Sequence, residues 1–224
     1  MIKIQKLSKL YPDVGKVLDN IDLDIGNGEI VALQGPSGAG KTTLLNIVGG
    51  LDNDYSGFVS VRGRELSRLS DRALSAFRAD KIGFVFQSFH LLPHLSVIEN
   101  VMLPSFFSEN QAKKPVSRAE QLLEDVGLEK PWSRKASTLS GGQKQRTAVA
   151  RAIFNEPELL LCDEPTGNLD AETGEAILDL LVDISKSTGL TLLMVTHEAR
   201  VSGRAMRTLV LDHGTIKEQG RDEP

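Results

Sequence analysis

Gly35-Pro36-Ser37-Gly38-Ala39-Gly40-Lys41-Thr42 decides the fold. The stretch fits G-x-x-x-x-G-K-[ST], and its flanks supply the context that pattern needs. Before it, Glu29-Ile30-Val31-Ala32-Leu33-Gln34 reads as a buried strand; after it, Thr42-Thr43-Leu44-Leu45-Asn46-Ile47-Val48 reads as a helix ended by Gly49-Gly50. At average residue usage the pattern arises by chance in about one chain of this length in a hundred. Gly35, Gly38 and Gly40 let the backbone wrap a phosphate without Cβ clashes. The amides of Ser37, Gly38, Ala39, Gly40, Lys41, Thr42 and Thr43 converge at a helix N-terminus, whose dipole favours anions. Lys41 adds a point charge at the β- and γ-phosphates, and the Thr42 hydroxyl is the expected Mg²⁺ ligand.

Outward from this loop the periodicities change. Ile2/Ile4, Ile21/Leu23/Ile25 and the stretch Gly57 to Arg62 alternate apolar with polar residues, so the first third opens with antiparallel β structure. Ile82 to Phe86 is a further strand candidate. Between Ser96 and Lys135 the texture turns helical: Ser96/Glu99 and Ser117/Glu120 both fit a capping box, and Leu122, Leu123 and Val126 share a face. Strand-like Leu159 to Cys162 follows, then a helix with Ala176, Ile177, Leu180, Leu181 and Ile184 at helical spacing, then the strand Leu190 to Val195. Arg207 to Leu211 and Thr215 to Gln219 form a closing hairpin across Asp212-His213-Gly214. The expected class is α/β with an antiparallel N-terminal portion, in one domain over 1–224. Its β and mixed portions lie at about 1–90 and 155–224, with a helical lobe at about 91–154.

Composition bounds the chemistry. The 224 residues are 40% apolar and 25% charged, an ordinary globular balance, and 5% aromatic is thin for a base-stacking platform. Twenty-six basic against 30 acidic residues give a net charge of -4, so phosphate binding must be local rather than the work of a global field. No apolar run is long enough to span a bilayer, and the N-terminus Met1 to Lys6 lacks a signal-peptide pattern, which reads as cytoplasmic. The single Cys162 permits no internal disulfide.

Two further motifs carry chemistry. Leu159-Leu160-Leu161-Cys162-Asp163-Glu164 places two carboxylates at a strand end, where successive side chains point opposite ways and so serve different tasks. Asp163 suits a magnesium, through water, and Glu164 the space where a nucleophilic water lines up with a γ-phosphate. Leu139-Ser140-Gly141-Gly142-Gln143 opens a helix that runs to the Pro157 stop. Ser140 and Gln143 satisfy a capping box, which leaves the double glycine unexplained. Gly141-Gly142 bares the amides of that turn, giving a second anion site on the chain.

Taken in order, GPSGAGKT, LSGGQ at Leu139 to Gln143, LLLCDE at Leu159 to Glu164, and His197 after the last buried strand resemble an ABC-type ATPase over nearly the whole chain. The resemblance implies ATP and Mg²⁺ as ligands and a head-to-tail homodimer. In that dimer Ser140, Gly141, Gly142 and Gln143 act in trans on the partner's ATP, and Asp170, in Asn168-Leu169-Asp170, communicates between sites. Where this chain has Gly167-Asn168, many relatives have Ser-Ala. Gln87 matches the glutamine that touches magnesium and the attacking water, His197 the switch histidine at the γ-phosphate, and Tyr11 the aromatic that stacks on adenine. His90, His94 and His213 match no motif.

The resemblance narrows further. Phe86-Gln87-Ser88-Phe89-His90-Leu91-Leu92-Pro93-His94-Leu95-Ser96 with Glu99-Asn100-Val101, and Asp163 to Asp170, look like the lipoprotein-releasing and macrolide-exporter group of bacterial ABC ATPases. That implies ATP-driven dimer closure coupled to separate transmembrane permease subunits, for lipoprotein release or drug or haem efflux. It also implies a peripheral position on the cytoplasmic face of the bacterial inner membrane. The competing readings are a soluble ABC-type ATPase acting on DNA or ribosomes and a nucleotide-gated regulator of a membrane complex. The single uninterrupted cassette and acidic net charge oppose nucleic acid as a partner, and the presence of Glu164, Gln87 and His197 favours turnover over mere gating.

Overall fold

A computed structural model describes residues 1–108 and 114–219. In chain order the elements are β1 (Ile2–Tyr11), β2 (Gly15–Ile25), β3 (Ile30–Gln34), α1 (Lys41–Val48), β4 (Ser56–Val61), β5 (Arg64–Glu65), α2 (Asp71–Lys81), β6 (Ile82–Phe86), α3 (Val97–Met102), α4 (Pro115–Asp125), α5 (Gly141–Ala152), β7 (Leu159–Asp163), α6 (Ala171–Thr188), β8 (Thr191–Val195), α7 (Ala199–Ser202), β9 (Arg207–Asp212) and β10 (Thr215–Gln219). They fall into two compact units, one made of Met1–Leu74 with the chain from Thr191 onward, the other of Ser75–Leu190.

The first unit holds the antiparallel sheet expected from the N-terminal alternation, in the order β2-β1-β4-β5. β1 does not keep one alternation throughout. Ile2 and Ile4 are buried, then Gln5 and Lys6 are both exposed, and from Leu7 the inward residues are odd-numbered. The cause is a bulge: Lys6 takes φ 50° and the pairing with β2 and β4 shifts there. Gly57 of β4 faces the bulge so closely that a Cβ would lie 2.3 Å from the Lys6 carbonyl oxygen. The same unit carries β3 in parallel register between β9 and β8, with β10 added as an antiparallel hairpin to β9. Ile30 to Leu33 are all buried, as a strand covered on both faces requires.

In the second unit β6 and β7 pair in parallel, Ile82 opposite Leu159 through Phe86 opposite Asp163. α5 packs on α3, α4, α6 and β6, and its inward residues Thr147, Ala148, Val149 and Ala150 are fully buried. Their small size brings backbones close: a Cβ on Gly83 of β6 would lie 2.4 Å from the Ala152 carbonyl oxygen.

Several local expectations hold and some do not. The capping boxes at Ser96/Glu99 and Ser140/Gln143 are both formed. The one expected at Ser117 is not, because α4 starts earlier, with Pro115 in its first turn and no side-chain cap; proline's fixed φ and missing N–H suit that position. The inward face of α6 is also rotated from the expected one. Gly174, Ile177, Leu178, Leu181, Val182 and Ser185 are buried, whereas Ala176 is exposed and Leu180 and Ile184 are half-buried. Helix α2 was not anticipated from the sequence; its mean hydropathy is low and Arg72, Arg78, Asp80 and Lys81 interrupt any apolar stripe.

Candidate functional site

The residues expected to act fall in both units, and in each unit part of the set follows the carboxyl ends of parallel strands, where open α/β sheets bind ligands.

In the first unit, β3 ends at Gln34 and the chain turns through the glycine-rich loop into α1. Two positions require glycine. Gly40, the N-cap of α1, has φ 100°, and a Cβ there would meet Val17 and Leu18 of β2 at 2.8 and 2.9 Å. At Gly35 a Cβ would sit 2.1 Å from the carbonyl oxygen of Leu211 in β9. The loop is thus seated directly on two strands with no space for side chains beneath it. α1 has no side-chain cap at Gly40, and its N-terminus opens directly from the glycine-rich loop. Ser37 and Gly38 are exposed; Ala39 and Gly40 are half-buried. The Lys41 side chain is 7% exposed and its ammonium donates to the carbonyls of Gly35 and Pro36, each at 2.8 Å. Two of its three N–H groups therefore brace the loop.

Beside this loop, Leu33 lies opposite Val195, so the segment after β8 emerges next to the segment after β3. Thr196 is buried and its amide donates to the Leu33 carbonyl at 3.1 Å; its hydroxyl accepts from the Glu198 amide at 2.9 Å. His197, between these two anchors, is exposed. Tyr11, at the end of β1, is half-buried; its hydroxyl donates to Asp52 at 3.1 Å.

In the second unit the β6–β7 register sets Phe86 opposite Asp163, so Gln87 and Glu164 leave the sheet side by side. Glu164 has φ 47°, a conformation rarely adopted by residues other than glycine, asparagine or aspartate. Strain of this kind persists only where surroundings enforce it and gathers at functional positions. Here the enforcers are visible. The Gly167 amide donates to the Glu164 carbonyl at 3.1 Å, and the fully buried Gln145 of α5 donates to the Pro165 carbonyl at 2.6 Å.

Gln87 is held by the segment that follows. The Asn168 side-chain amide donates to the Gln87 carbonyl at 3.0 Å and accepts from the Gln87 side chain at 3.4 Å. A Cβ on Gly167 would stand 2.6 Å from Gln87 Nε2, so a side chain there would displace the Gln87 amide. Phe89 and His90 beyond it both have positive φ, and their carbonyls accept from the Arg151 guanidinium of α5 at 2.7 and 2.5 Å. Asp170 caps α6, accepting from the Thr173 amide at 2.9 Å, a bond that holds its carboxyl below the usual range.

The second glycine turn, Ser140 to Gln143 at the start of α5 (hereafter the signature turn), is built differently from the glycine-rich loop before α1. Ser140 Oγ accepts from the Gln143 amide and the Gln143 side chain accepts from the Ser140 amide, at 3.3 and 3.1 Å. That leaves Gly141 and Gly142 as the amides available to an outside acceptor. The double glycine also has a packing reason: a Cβ on Gly142 would lie 2.6 Å from Thr173 Cγ2, and one on Gly141 3.3 Å from Leu169 Cδ2.

Sequence reading found the strand tips and both glycine turns. It missed Gln145, Arg151 and the Asp52 partner of Tyr11, which carry no local signature. Among the described residues no group of three His, Cys, Asp or Glu side chains converges as a metal site. No described helix is long and apolar enough to cross a membrane.

The ABC transporter family profile matches residues 18–167. The lipoprotein-releasing system ATP-binding protein LolD of Syntrophus aciditrophicus is 45% identical over 219 residues, covering 96% of this chain and 98% of that protein. An uncharacterized ABC transporter ATP-binding protein of Bacillus subtilis, YknY, is 46% identical over 220 residues, covering 96% and 95%. Among solved structures, the dimeric post-hydrolysis state of the ATP-binding cassette MJ0796 bound to ADP and Pi superposes with a TM-score of 0.89 at 40% identity, covering 98% of each chain.

Proposed function

Because the chain belongs to the ABC transporter family, we propose that it is the ATP-hydrolysing subunit of a transporter of the lipoprotein-releasing and macrolide-exporter type. In this reading it works as a head-to-tail homodimer against separate permease subunits, peripheral to the cytoplasmic face of a bacterial inner membrane, and its closure on ATP moves the permease. The observation that carries the nucleotide reading is the loop of Gly35 to Thr42, seated on β2 and β9 at the N-terminus of α1 with Lys41 braced across it. The dimeric, ADP- and Pi-bound cassette, 40% identical, supports hydrolysis and pairing.

The donor set fits magnesium. Mg²⁺ keeps several waters and takes one or two protein oxygens plus substrate phosphates, and the Thr42 hydroxyl, Asp163 carboxylate and Gln87 amide oxygen are hard oxygen donors of that kind. Thr42 and Asp163, with Gln87, would hold it, and when bound it neutralises charge on the β- and γ-phosphates. The chain's own groups do the rest. The α1 amides and Lys41 stabilise the charge that spreads over the γ-phosphoryl oxygens. Glu164, aimed by its left-handed backbone, accepts the proton of the attacking water, and Gln87 and His197 orient that water and the γ-phosphate. Ser140, Gly141, Gly142 and Gln143 of one subunit complete the other's site, with Asp170 beside them.

Closure then follows from differential contacts: the triphosphate gives the paired state donors that the open state lacks, and hydrolysis withdraws them. Glu164→Gln tests this directly. Steady-state hydrolysis should fall by about a hundredfold or more while ATP still binds and a dimer accumulates on size-exclusion chromatography. Undiminished turnover defeats the role of Glu164. A pull-down from detergent-solubilised membranes should recover a permease; recovery of ribosomes or DNA instead would overturn the transporter reading.

A further inference from the structure

Lys9 is a lysine in the wrong place for a lysine. Its side chain is 3% exposed, because the bulge at Lys6 turns the odd-numbered residues of β1 inward. An ammonium so buried must be paired. Its partners are the Asp52 carboxylate at 2.9 Å, the Asp54 carboxylate at 3.3 Å and the Asp54 carbonyl. Tyr11, two residues along and hence on the same face of the strand, places its ring under the same ammonium, 4.6 Å from Nζ to the ring centroid. The Tyr11 hydroxyl donates to the same Asp52 carboxylate.

One carboxylate therefore fixes Tyr11 twice, directly at its hydroxyl and through Lys9 at one face of its ring. Burial works against both charges, but the hydrogen bonds within the group outweigh it: Lys9 is held above the ordinary lysine value and Asp52 below the ordinary carboxylate value. The pair stays ionised throughout the neutral range. Asp52 is itself tied to α1, since the amides of Leu51 and Asp52 donate to the Asn46 carbonyl. The eight-residue helix, about 12 Å long, thus carries the phosphate loop at one end and the anchor of Tyr11 at the other.

We propose that Lys9 and Asp52 are positioning residues that set the Tyr11 ring for a nucleobase on its opposite face and thereby fix the base's share of nucleotide affinity. This rests on the reading of Tyr11 as the adenine-stacking aromatic. Rigid presentation matters because a ring that must be immobilised on binding returns less of its stacking energy.

Calorimetric titration of the full chain with Mg²⁺-ATP and with Mg²⁺-tripolyphosphate, which has no base, separates the possibilities. Tyr11→Ala should weaken ATP about tenfold and leave tripolyphosphate unchanged. Asp52→Asn and Lys9→Met should each weaken ATP about three- to tenfold, again sparing tripolyphosphate. If Tyr11→Ala is selective for ATP but Asp52→Asn and Lys9→Met bind ATP as the parent does, the positioning role fails while stacking stands. If Tyr11→Ala is itself without selective effect, the stacking reading fails and the proposal with it. Equal weakening of both ligands marks a general structural role and also overturns it. Should Lys9→Met not fold, Tyr11→Phe, which removes only the hydroxyl held by Asp52, decides: selective loss of about two- to threefold supports the anchor, and parent-like ATP affinity rejects it.

Discussion

The two glycine-rich turns of this chain use glycine for different physical reasons. In the phosphate loop, Gly40 is needed for its left-handed backbone and for the strands pressed beneath it, and the helix that follows has no side-chain cap. In the signature turn no glycine has positive φ; the helix is closed by Ser140 and Gln143, and Gly142 is small because Thr173 of α6 lies against it. The first turn is thus pressed onto β2 and β9 from below and leaves Ser37 and Gly38 exposed on its outer side. The second is shaped around its own chain, and offers only what that packing leaves outside. A glycine signature in a sequence does not by itself tell these apart.

Mutations can separate them, beginning with the harshest. Gly40→Ala should destabilise the fold by about 2–4 kcal/mol in urea unfolding, from backbone strain plus overpacking against Val17 and Leu18. Since two side chains and the φ angle all object, truncating one neighbour should not restore it; recovery by Val17→Ala alone would contradict the comparison. Lys41→Ala should weaken ATP by up to about two orders of magnitude in direct titration and also loosen the loop carbonyls it braces. Gly142→Ala should cost about 1–3 kcal/mol, and here one change should suffice: Thr173→Ser deletes the Cγ2 in the way. A double-mutant cycle without coupling would sink the packing explanation. Smallest is Ser140→Ala, about 1 kcal/mol from the lost cap. Ser37→Ala, exposed and capping nothing, should leave the melting temperature where it was.

What could be read from the sequence was what is written locally. The strand β6 from Ile82 to Phe86, the loop before α1 and the capping boxes at Ser96 and Ser140 all depend on residues within a few positions of one another. Apart from the capping box expected at Ser117, which the earlier helix start at Pro115 displaces, the failures depend on distant ones. Lys9 and Asp52 are 43 residues apart, and Arg151 reaches back 61 residues to His90. A lysine in a strand looks solvated until a bulge turns it inward. The face of α6 was misjudged because Ala176, Leu180 and Ile184 fit a helical period as well as Leu178 and Val182 do, and tertiary packing chose between them. The site followed the same rule: Asp163, Glu164 and Gln87 were legible as strand ends, while Gln145, which secures the turn beyond Glu164, sat unnoticed inside a helix whose opening residues drew the attention.

Cys162 has a practical side. It is the chain's one thiol, fully enclosed within β7, and burial together with the neighbouring Asp163 pushes its ionisation far above the ordinary thiol range. Maleimide and iodoacetamide reagents need a reachable thiolate. A cysteine introduced at an exposed position such as Phe107 would therefore be the only one modified in the native protein, and dyes or spin labels could be attached without first deleting Cys162.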